Sequence, residues 1–246
     1  MQKLRESVPK SRAFQGAQAS AARLNVRYAD APADEILRVA LNALPGQIAL
    51  VSSFGADSAV LLHLLAQIDR DVPVLMLETQ MLFAETLQYQ RDLSAHLGLR
   101  DVRLLTPDPD LPEDLHQRDS KMCCTLRKVA PLERVLDDFA GSISGRKRFQ
   151  TGQRAQMPIF ETDHAGRLRV NPLAAWTPAM LSQHLDAHEL PRHPLVARGY
   201  PSIGCAPCTQ PASAADPRAG RWANEAREEC GIHFAPDGRV IRRKAG

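Results

Sequence analysis

The feature that most constrains the fold of this chain is a regular alternation of short apolar runs with segments of helical spacing. Runs rich in strand-forming residues cover 47–53, 72–78 and 102–105, and helical patterns cover 58–68 and 84–97 between them. Strands that alternate with helices build a parallel sheet, because each helix returns the chain to the start of the next strand. We therefore predict an α/β fold in which helices cover both faces of a parallel sheet.

Helix and loop signals assign further elements. Additional helices are predicted over residues 31–44, 126–139 and 177–190. The last of these begins with Thr177 as its N-cap and Pro178 at the first helical position. A fourth strand is predicted at 149–152, and the Pro- and Asp-rich residues 107–119 indicate a loop.

The pattern divides the chain into three parts. Residues 1–30 show little apolar periodicity, which predicts a flexible N-terminal segment. Residues 31–219 carry the strand and helix pattern and are predicted to form one α/β domain. Residues 220–246 are polar and then basic, which predicts a mobile C-terminal tail.

Charge and hydropathy narrow the class of protein. The 31 Lys and Arg residues against 28 Asp and Glu residues give a net charge of +3, too small to indicate nucleic-acid binding. No apolar run reaches the roughly 18 residues of a membrane helix. The N-terminal residues 1–20 are polar and contain no apolar signal core. We expect a cytoplasmic protein that binds neither nucleic acid nor membranes, and a homo-oligomer is compatible with the sequence.

A loop with serine and glycine joins the first predicted strand to the helix that follows it. Its sequence is Ser-Ser-Phe-Gly-Ala-Asp-Ser over residues 52–58. Such a junction presents backbone N–H groups and a helix N-terminus to an anion. The residues expected to contact a phosphate are Ser52, Ser53, Gly55, Asp57 and Ser58. The alternative is that Asp57 or Ser58 only caps the helix.

Four of the five cysteines form two tight groups. Cys123 is followed directly by Cys124, two residues separate Cys205 from Cys208, and Cys230 stands alone near the C-terminus. A disulfide between adjacent cysteines closes a strained ring, so the groups indicate metal ligands. Four thiolates can bind a 4Fe-4S cluster or a zinc ion, and unliganded thiols are a third interpretation. Cys230 has polar neighbours, which predicts an exposed and reactive thiol.

Several segments together resemble the assimilatory adenylyl-sulfate (APS) and phosphoadenylyl-sulfate (PAPS) reductases, which are the sulfonucleotide reductases. They are SSFGADS at 52–58, LETQMLFAET at 77–86, KMCCTLRKVAPL at 121–132, RFQTGQRAQ at 148–156, GYPSIGCAPCTQP at 199–211, GRW at 220–222 and ECGIH at 229–233. The 52–58 loop is also similar to the pyrophosphate loop of adenine nucleotide α-hydrolases. The resemblance therefore implies an adenine nucleotide α-hydrolase-like fold.

The resemblance implies roles for all five cysteines. Cys123, Cys124, Cys205 and Cys208 would hold one 4Fe-4S cluster, and this complete set implies APS as the preferred substrate. Cys230 would attack the sulfur of APS, release AMP and carry an S-sulfocysteine intermediate. Thioredoxin would then release sulfite. The implied function is thioredoxin-dependent APS reduction in sulfate assimilation for cysteine biosynthesis.

The resemblance also implies which cations hold the anionic substrate. They are Arg127, Lys128, Arg154, Arg218 and Arg221. Lys128 matches a family lysine that lies between the cluster and the substrate. The basic residues 146–148 are interpreted as a solvated turn, and His233 is assigned only a minor contribution to activating Cys230.

Two positions depart from the family pattern, and three other functions are considered. Gln80 stands where the family often has glycine, which can reshape the nucleotide edge of the pocket, and Ala155 replaces an arginine.

The nearest alternative function is that of a reductase that prefers PAPS. The others are an ATP-using enzyme that adenylates or thiolates its substrate, and a sensor that carries a cluster without catalysis.

Overall fold

The computed structural model describes residues 10–213 and 215–223. The predicted nucleophile Cys230 and its neighbour His233 lie outside these ranges. None of the helices within them combines the length and the apolar character that a membrane crossing requires.

A six-stranded sheet forms the centre of the fold. Its strands are β1 (Ile48–Ser52), β2 (Val74–Leu77), β3 (Val102–Leu105), β4 (Gly141–Ser144), β5 (Phe160–Thr162) and β6 (Leu168–Val170). Their order across the sheet is β3-β2-β1-β4-β6-β5, and every neighbouring pair is parallel except β5 with β6. The predicted parallel sheet is confirmed, with one antiparallel strand added at its edge.

Most of the predicted helices are confirmed. The helices are α1 (Lys10–Arg27), α2 (Ala33–Ala43), α3 (Ser58–Ala66), α4 (Ala84–Leu97), α5 (Leu115–Arg118), α6 (Ser120–Cys124), α7 (Ala130–Leu136) and α8 (Pro178–Ala187). Gly98 ends α4 in the left-handed conformation, with φ of 65°. Thr177 caps α8, because its hydroxyl accepts a hydrogen bond from the backbone N–H of Met180 at 3.2 Å.

Helices cover both faces of the sheet. Adjacent residues of a strand point to opposite faces, so each strand contributes to two cores. Leu50 of β1 packs in a large core with side chains from α2, α3, α4 and α8. Its neighbour Ala49 packs in a smaller core with side chains of α7. The predicted two-sided arrangement is therefore confirmed.

The fourth strand lies at Gly141–Ser144, and the prediction of a strand at 149–152 is wrong. Residues Arg148–Gln150 form a 3₁₀ turn instead. The sequence Gly-Ser-Ile-Ser of β4 contains a single large apolar side chain, so its hydrophobic pattern is weak. A Cβ at Gly141 would lie 2.7 Å from the Leu44 side chain and 2.9 Å from the Leu168 carbonyl oxygen. Close packing, which glycine permits, therefore places this segment in the sheet.

The helix predicted over 126–139 starts earlier than expected. The side chain of Asp119 caps α6 by accepting hydrogen bonds from two of its backbone N–H groups at 2.9 and 3.1 Å. A π-helical turn over Thr125–Val129 joins α6 to α7. Such turns are frequent at functional sites. The loop predicted at 107–119 contains the short helix α5.

Part of the N-terminal segment predicted to be flexible is helical in the structure. Residues Lys10–Arg27 form α1, which lies at the edge strand β5. The Nδ2 group of Asn25 donates to the Phe160 carbonyl oxygen at 2.6 Å, and its Oδ1 accepts from the Phe160 N–H at 2.9 Å. The Asn25 side chain thus satisfies the N–H and C=O groups of Phe160 at the edge of the sheet, where another strand could otherwise form hydrogen bonds.

Candidate active site

The order of the strands places a ligand site between β1 and β4. The chain runs outward from β1 to β2 and β3, and then crosses to β4 on the other side of β1. Ligands of open α/β sheets bind at this switch point, outside the carboxyl ends of the strands. A cavity of about 450 Å³ is lined there by the loops that follow both strands.

Almost all the predicted substrate residues line this cavity. Those present are Ser52, Ser53, Gly55, Asp57, Ser58, Lys128, Arg154, Arg218 and Arg221. The predicted contacts therefore come together from four separate parts of the chain. Arg127 is absent from the cavity lining, and its placement is described below.

The loop after β1 has a constrained backbone. Phe54 is fully buried and has φ of 46°, a conformation that is uncommon for a bulky residue. Its N–H donates to the Ser52 hydroxyl at 3.1 Å. A Cβ at Gly55 would lie 3.3 Å from the Ser53 hydroxyl oxygen and 3.5 Å from the Ile203 carbonyl oxygen. Strain of this kind is typical of functional loops, and burial of the Phe54 ring holds the conformation in place.

Asp57 pairs with a lysine instead of capping α3. Its Oδ2 accepts a hydrogen bond from Lys147 Nζ at 2.9 Å, and its side chain does not cap the helix. The Lys147 side chain is 4% exposed, whereas that of Asp57 is 35% exposed. Burial lowers the pKa of Lys147 below its usual value, the Asp57 carboxylate opposes this, and nearby Arg154 and Arg218 lower it further.

The prediction of a solvated basic turn at 146–148 is wrong for two of its residues. Arg146 and Lys147 are both buried and line the cavity. Arg146 Nε donates to the Ser144 hydroxyl at 3.1 Å and to Asn171 Oδ1 at 3.2 Å, and its guanidinium also pairs with Glu161. The turn is buried because it follows β4, whose carboxyl end faces the ligand cavity.

The four grouped cysteines also meet beside this cavity. They are free thiols, and three of them, Cys123, Cys124 and Cys205, are buried. Burial raises the pKa of the Cys208 thiol to about 11, and the neighbouring Cys205 adds to the shift. Burial also raises the pKa of Cys123, with Cys124 adding to it. Each cysteine pair also raises a thiol pKa in the other pair, so the two pairs lie close together although 80 residues separate Cys124 from Cys205.

Lys128 lines the cavity and lies near enough to the thiols for its charge to act on them. It is 8% exposed, and its charge lowers the pKa values of Cys123 and Cys208 against the stronger effect of burial. The thiols are further fixed by Thr79, whose hydroxyl lies 3.2 Å from the Cys205 sulfur. The π-helical turn brings Lys128 to this position directly after the adjacent cysteines.

Arg127 has a different environment from the one predicted. Its guanidinium is 2% exposed and donates to the Thr79 carbonyl oxygen at 3.2 Å and to Gln80 Oε1 at 2.5 Å. It also donates to the carbonyl oxygens of Leu111 and Pro112 at 3.1 and 3.0 Å. These contacts hold the loop after β2 and the 107–119 loop against the π-helical turn. These bonds give Arg127 a structural role, and it does not line the cavity where the predicted substrate contacts lie.

The same contacts explain the departure at Gln80. Its φ is 62°, in the left-handed region that favours glycine. The Gln80 side chain accepts the hydrogen bond from Arg127, and its N–H donates to Glu78 Oε1 at 2.7 Å. These two bonds offset the backbone strain at this position.

The beginning of the predicted tail packs against the second cysteine group. The backbone N–H of Trp222 donates to the Cys208 carbonyl oxygen at 3.2 Å, and that of Gln210 donates to the Gly220 carbonyl oxygen at 2.8 Å. Trp222 is buried, and the Arg221 guanidinium lies 4.5 Å from the centre of its ring. Residues 220–223 therefore belong to the body of the domain, not to a mobile tail.

Replacing Gly220 with alanine is expected to lower the free energy of unfolding by about 1–3 kcal/mol. The added Cβ would lie 2.0 Å from the Gln210 carbonyl oxygen, so the backbone pairing must open. Denaturant titration measures the change. Gly152→Ala is the matched control, because nothing lies within 4 Å of its Cβ position. Equal stability of the two variants would contradict the prediction.

Sequence patterns missed Lys147 as a site residue, although a signal was present. Only Gly145 separates the three basic residues at 146–148 from β4, and residues after parallel strands line ligand sites. The weak pattern of β4 hid that strand, so the turn was interpreted as solvated. Gly204 is a second missed residue: a Cβ there would lie 2.2 Å from a terminal nitrogen of Arg221, so glycine leaves the space that this guanidinium occupies.

The structure is an α/β protein with an adenine nucleotide α-hydrolase-like fold and four grouped cysteines beside its cavity. Residues 47–211 match the phosphoadenosine phosphosulfate reductase domain. An adenosine 5'-phosphosulfate reductase of Chelativorans sp. (strain BNC1) is 46% identical over 227 residues, which cover 89% of this chain and 92% of that protein. The chain therefore belongs to the phosphoadenosine phosphosulfate reductase family.

Further comparisons agree with this assignment. An adenosine 5'-phosphosulfate reductase of Mesorhizobium japonicum is 46% identical over 228 residues, which cover 89% of each chain. The crystal structure of a PAPS reductase from Candida auris superposes with a TM-score of 0.70 at 21% identity, covering 78% of this chain and 97% of that one. An FMN adenylyltransferase of Candida glabrata shares the fold with a TM-score of 0.53 at 17% identity, covering 85% and 69%.

Proposed function

We propose that this protein reduces APS to sulfite and AMP in the assimilation of sulfate. The observation that carries the proposal is one cavity that is lined by the β1 loop, a group of cations and Cys205, with the other three grouped cysteines close to Cys205. Relatives of similar length that cover most of the chain are named adenosine 5'-phosphosulfate reductases. Their names support APS over PAPS as the substrate.

The charges around the cavity suit a sulfonucleotide. The phosphosulfate group of APS is anionic, and Lys147, Arg154 and Arg218 lie close enough to one another to affect the pKa of Lys147. Cations of this kind can offset the negative charge of the phosphosulfate group. Their hydrogen bonds to charged oxygens are stronger than hydrogen bonds between neutral groups. The N-terminus of α3 adds a partial positive charge at the β1 loop.

We propose that the four grouped cysteines hold one 4Fe-4S cluster. A donor set of four thiols, with three of them buried and none in a disulfide, fits such a group. The raised pKa values of Cys123 and Cys208 favour their thiol forms, so binding of a metal centre by these two residues releases protons. The cluster would supply a structural centre and an anionic field beside the substrate. Zinc bound by the same thiols is the alternative.

The reaction divides into two displacements at Cys230. The thiolate attacks the sulfur of APS, a bond forms between the two sulfur atoms, and AMP leaves, so that the enzyme carries an S-sulfocysteine. A thiolate of thioredoxin then attacks the Cys230 sulfur and expels sulfite. The second thiol of thioredoxin resolves the mixed disulfide. The two electrons that reduce the sulfur come from the dithiol, and a cytoplasmic location would keep that dithiol reduced.

Anaerobic purification followed by three measurements tests this function. Iron and sulfide analysis should give four of each per chain if one 4Fe-4S cluster is bound. Assays with thioredoxin should release sulfite and AMP from APS, with a kcat/KM well above that for PAPS. Zinc without iron would overturn the cluster, a preference for PAPS would overturn the substrate, and ATP turnover without APS would overturn the reaction class.

Lys128→Ala is expected to lower kcat/KM for APS by about 10–50-fold, because a cation that lines the cavity near the thiols is lost. The visible absorbance of the cluster should persist, since all four ligands remain. Lys121→Ala, which removes an exposed lysine of α6, is the control. Unchanged activity of the Lys128 variant, or equal losses in both variants, would contradict an electrostatic role for Lys128.

A further inference from the structure

Three histidines converge where α3 packs against α8. His63 lies on α3, His184 lies on α8, and His188 is the residue that follows the last turn of α8. His63 Nδ1 is 3.0 Å from His184 Nε2, and one nitrogen from each of the three rings lies within 4.8 Å of the others. The ring centres are 4.4 to 5.2 Å apart. None of the three residues lines the cavity at the switch point.

Burial favours the neutral form of His63 and His184. Burial lowers the pKa of His184 to about 4, and His188 and His63 lower it further. Burial also lowers the pKa of His63, with His188 the next largest cause and His96 a third. Neutral imidazole offers one lone pair per ring, which is the form that binds metals.

We propose that His63, His184 and His188 form a binding site for Zn²⁺ or a similar divalent transition metal, separate from the cysteine centre. Tetrahedral zinc with metal–nitrogen bonds of about 2.0–2.1 Å holds its ligand nitrogens roughly 3.3–3.4 Å apart. The distance of 3.0 Å between His63 and His184 is close to that value. His188 is the exposed member, so a metal can enter from solvent and keep a water as its fourth ligand.

Neighbouring side chains provide what such a site needs outside its ligands. The Gln67 amide nitrogen lies 3.3 Å from His63 Nε2. With Nδ1 of His63 on the metal, Nε2 carries the proton, and the Gln67 amide turned about its last bond accepts it through oxygen. The Trp176 ring packs edge-on against His184, with ring centres 5.5 Å apart, and shields that side from water.

The bound metal would link two distant parts of the chain. His63 and His184 are separated by 121 residues, and α3 begins at Ser58 of the candidate active site. A metal at this place therefore fixes α8 to the helix that carries the phosphate loop. Because a metal that binds only the folded state stabilises it by mass action, zinc should raise the melting temperature. At a hundredfold excess over Kd the rise should be about 5–10 °C.

The test compares zinc binding by the full-length wild-type protein, His188→Gln and His116→Gln. His188 is exposed, so its replacement should leave the fold intact, and His116 is a partly exposed histidine on α5. Zinc bound by the cysteines is the same in all three proteins. Equilibrium dialysis should therefore show one zinc ion per chain fewer for His188→Gln than for wild type and His116→Gln, and the rise in melting temperature should be lost with it.

Imidazole nitrogen NMR supplies a second measurement that does not depend on the reductase function. Zinc should shift the resonances of three histidines in the wild type, and His184→Gln should abolish the shift of His63. Equal zinc stoichiometry and equal thermal response in wild type and His188→Gln would overturn the site, whether or not the protein reduces APS. If the wild-type protein did not reduce APS but still bound one more zinc ion per chain than His188→Gln, only the proposed function would be overturned.

Discussion

Replacing Cys230 with serine is expected to reduce sulfite formation from APS by roughly 10³-fold or more. The proposed reaction needs a thiolate that attacks sulfur and is later attacked itself by a second thiol. A serine hydroxyl is a poor nucleophile near neutral pH, and the O-sulfate ester it would form has oxygen in place of the Cys230 sulfur, so thioredoxin cannot form a mixed disulfide there and expel sulfite. The variant should therefore lose both displacements, which makes this the largest effect of any single substitution proposed for this chain.

Measurements on the variant can separate lost chemistry from lost structure. The four grouped cysteines are untouched, so iron content and visible absorbance should equal those of the wild type. APS binding, measured by calorimetry, should persist because the residues that line the cavity are unchanged. Mass spectrometry of wild type mixed with APS and no thioredoxin should show an SO₃ adduct on Cys230. Substantial sulfite production by Cys230→Ser would instead favour a different nucleophile, and full biological function without it would favour a sensor.

The central part of the fold could be predicted because its signals are local. The strands β1 to β3, the helices α3 and α4 and the stop at Gly98 all follow from apolar periodicity and one glycine. The strand β4 could not be predicted this way, because it enters the sheet through a close approach to Leu44 and Leu168, which are distant in sequence. Tertiary packing decides such segments, and local pattern cannot show it.

The candidate site shows the same division between local and distant information. Gly55 and the residues around it belong to a contiguous loop, so their place at the cavity could be predicted from the strand-to-helix junction. Arg127 and Lys128 are adjacent in sequence, yet one bonds loop carbonyls and the other lines the cavity. The π-helical turn determines which side each faces, and nothing in the sequence pattern predicts that turn.

Replacing Lys147 with methionine is expected to lower kcat/KM for APS by about 10²-fold. The sequence pattern did not identify this lysine as a site residue. Methionine keeps most of the side-chain volume but removes the charge, so the cavity loses a buried cation. The Asp57 carboxylate then faces the anionic substrate without its partner. Lys121→Met, at an exposed lysine, controls for the general effect of removing a positive charge.

The double variant Lys147→Met with Asp57→Asn distinguishes substrate binding from support of the loop. Lys147→Met alone should lower the free energy of unfolding by about 1–3 kcal/mol, because an unpaired carboxylate remains, although its partial exposure reduces the cost. Asparagine is neutral, so the double variant should regain much of that stability in denaturant titrations. Its kcat/KM should stay low, because no cation returns to the cavity. Recovery of activity together with stability would instead show that Lys147 acts only by holding Asp57 and the phosphate loop in place.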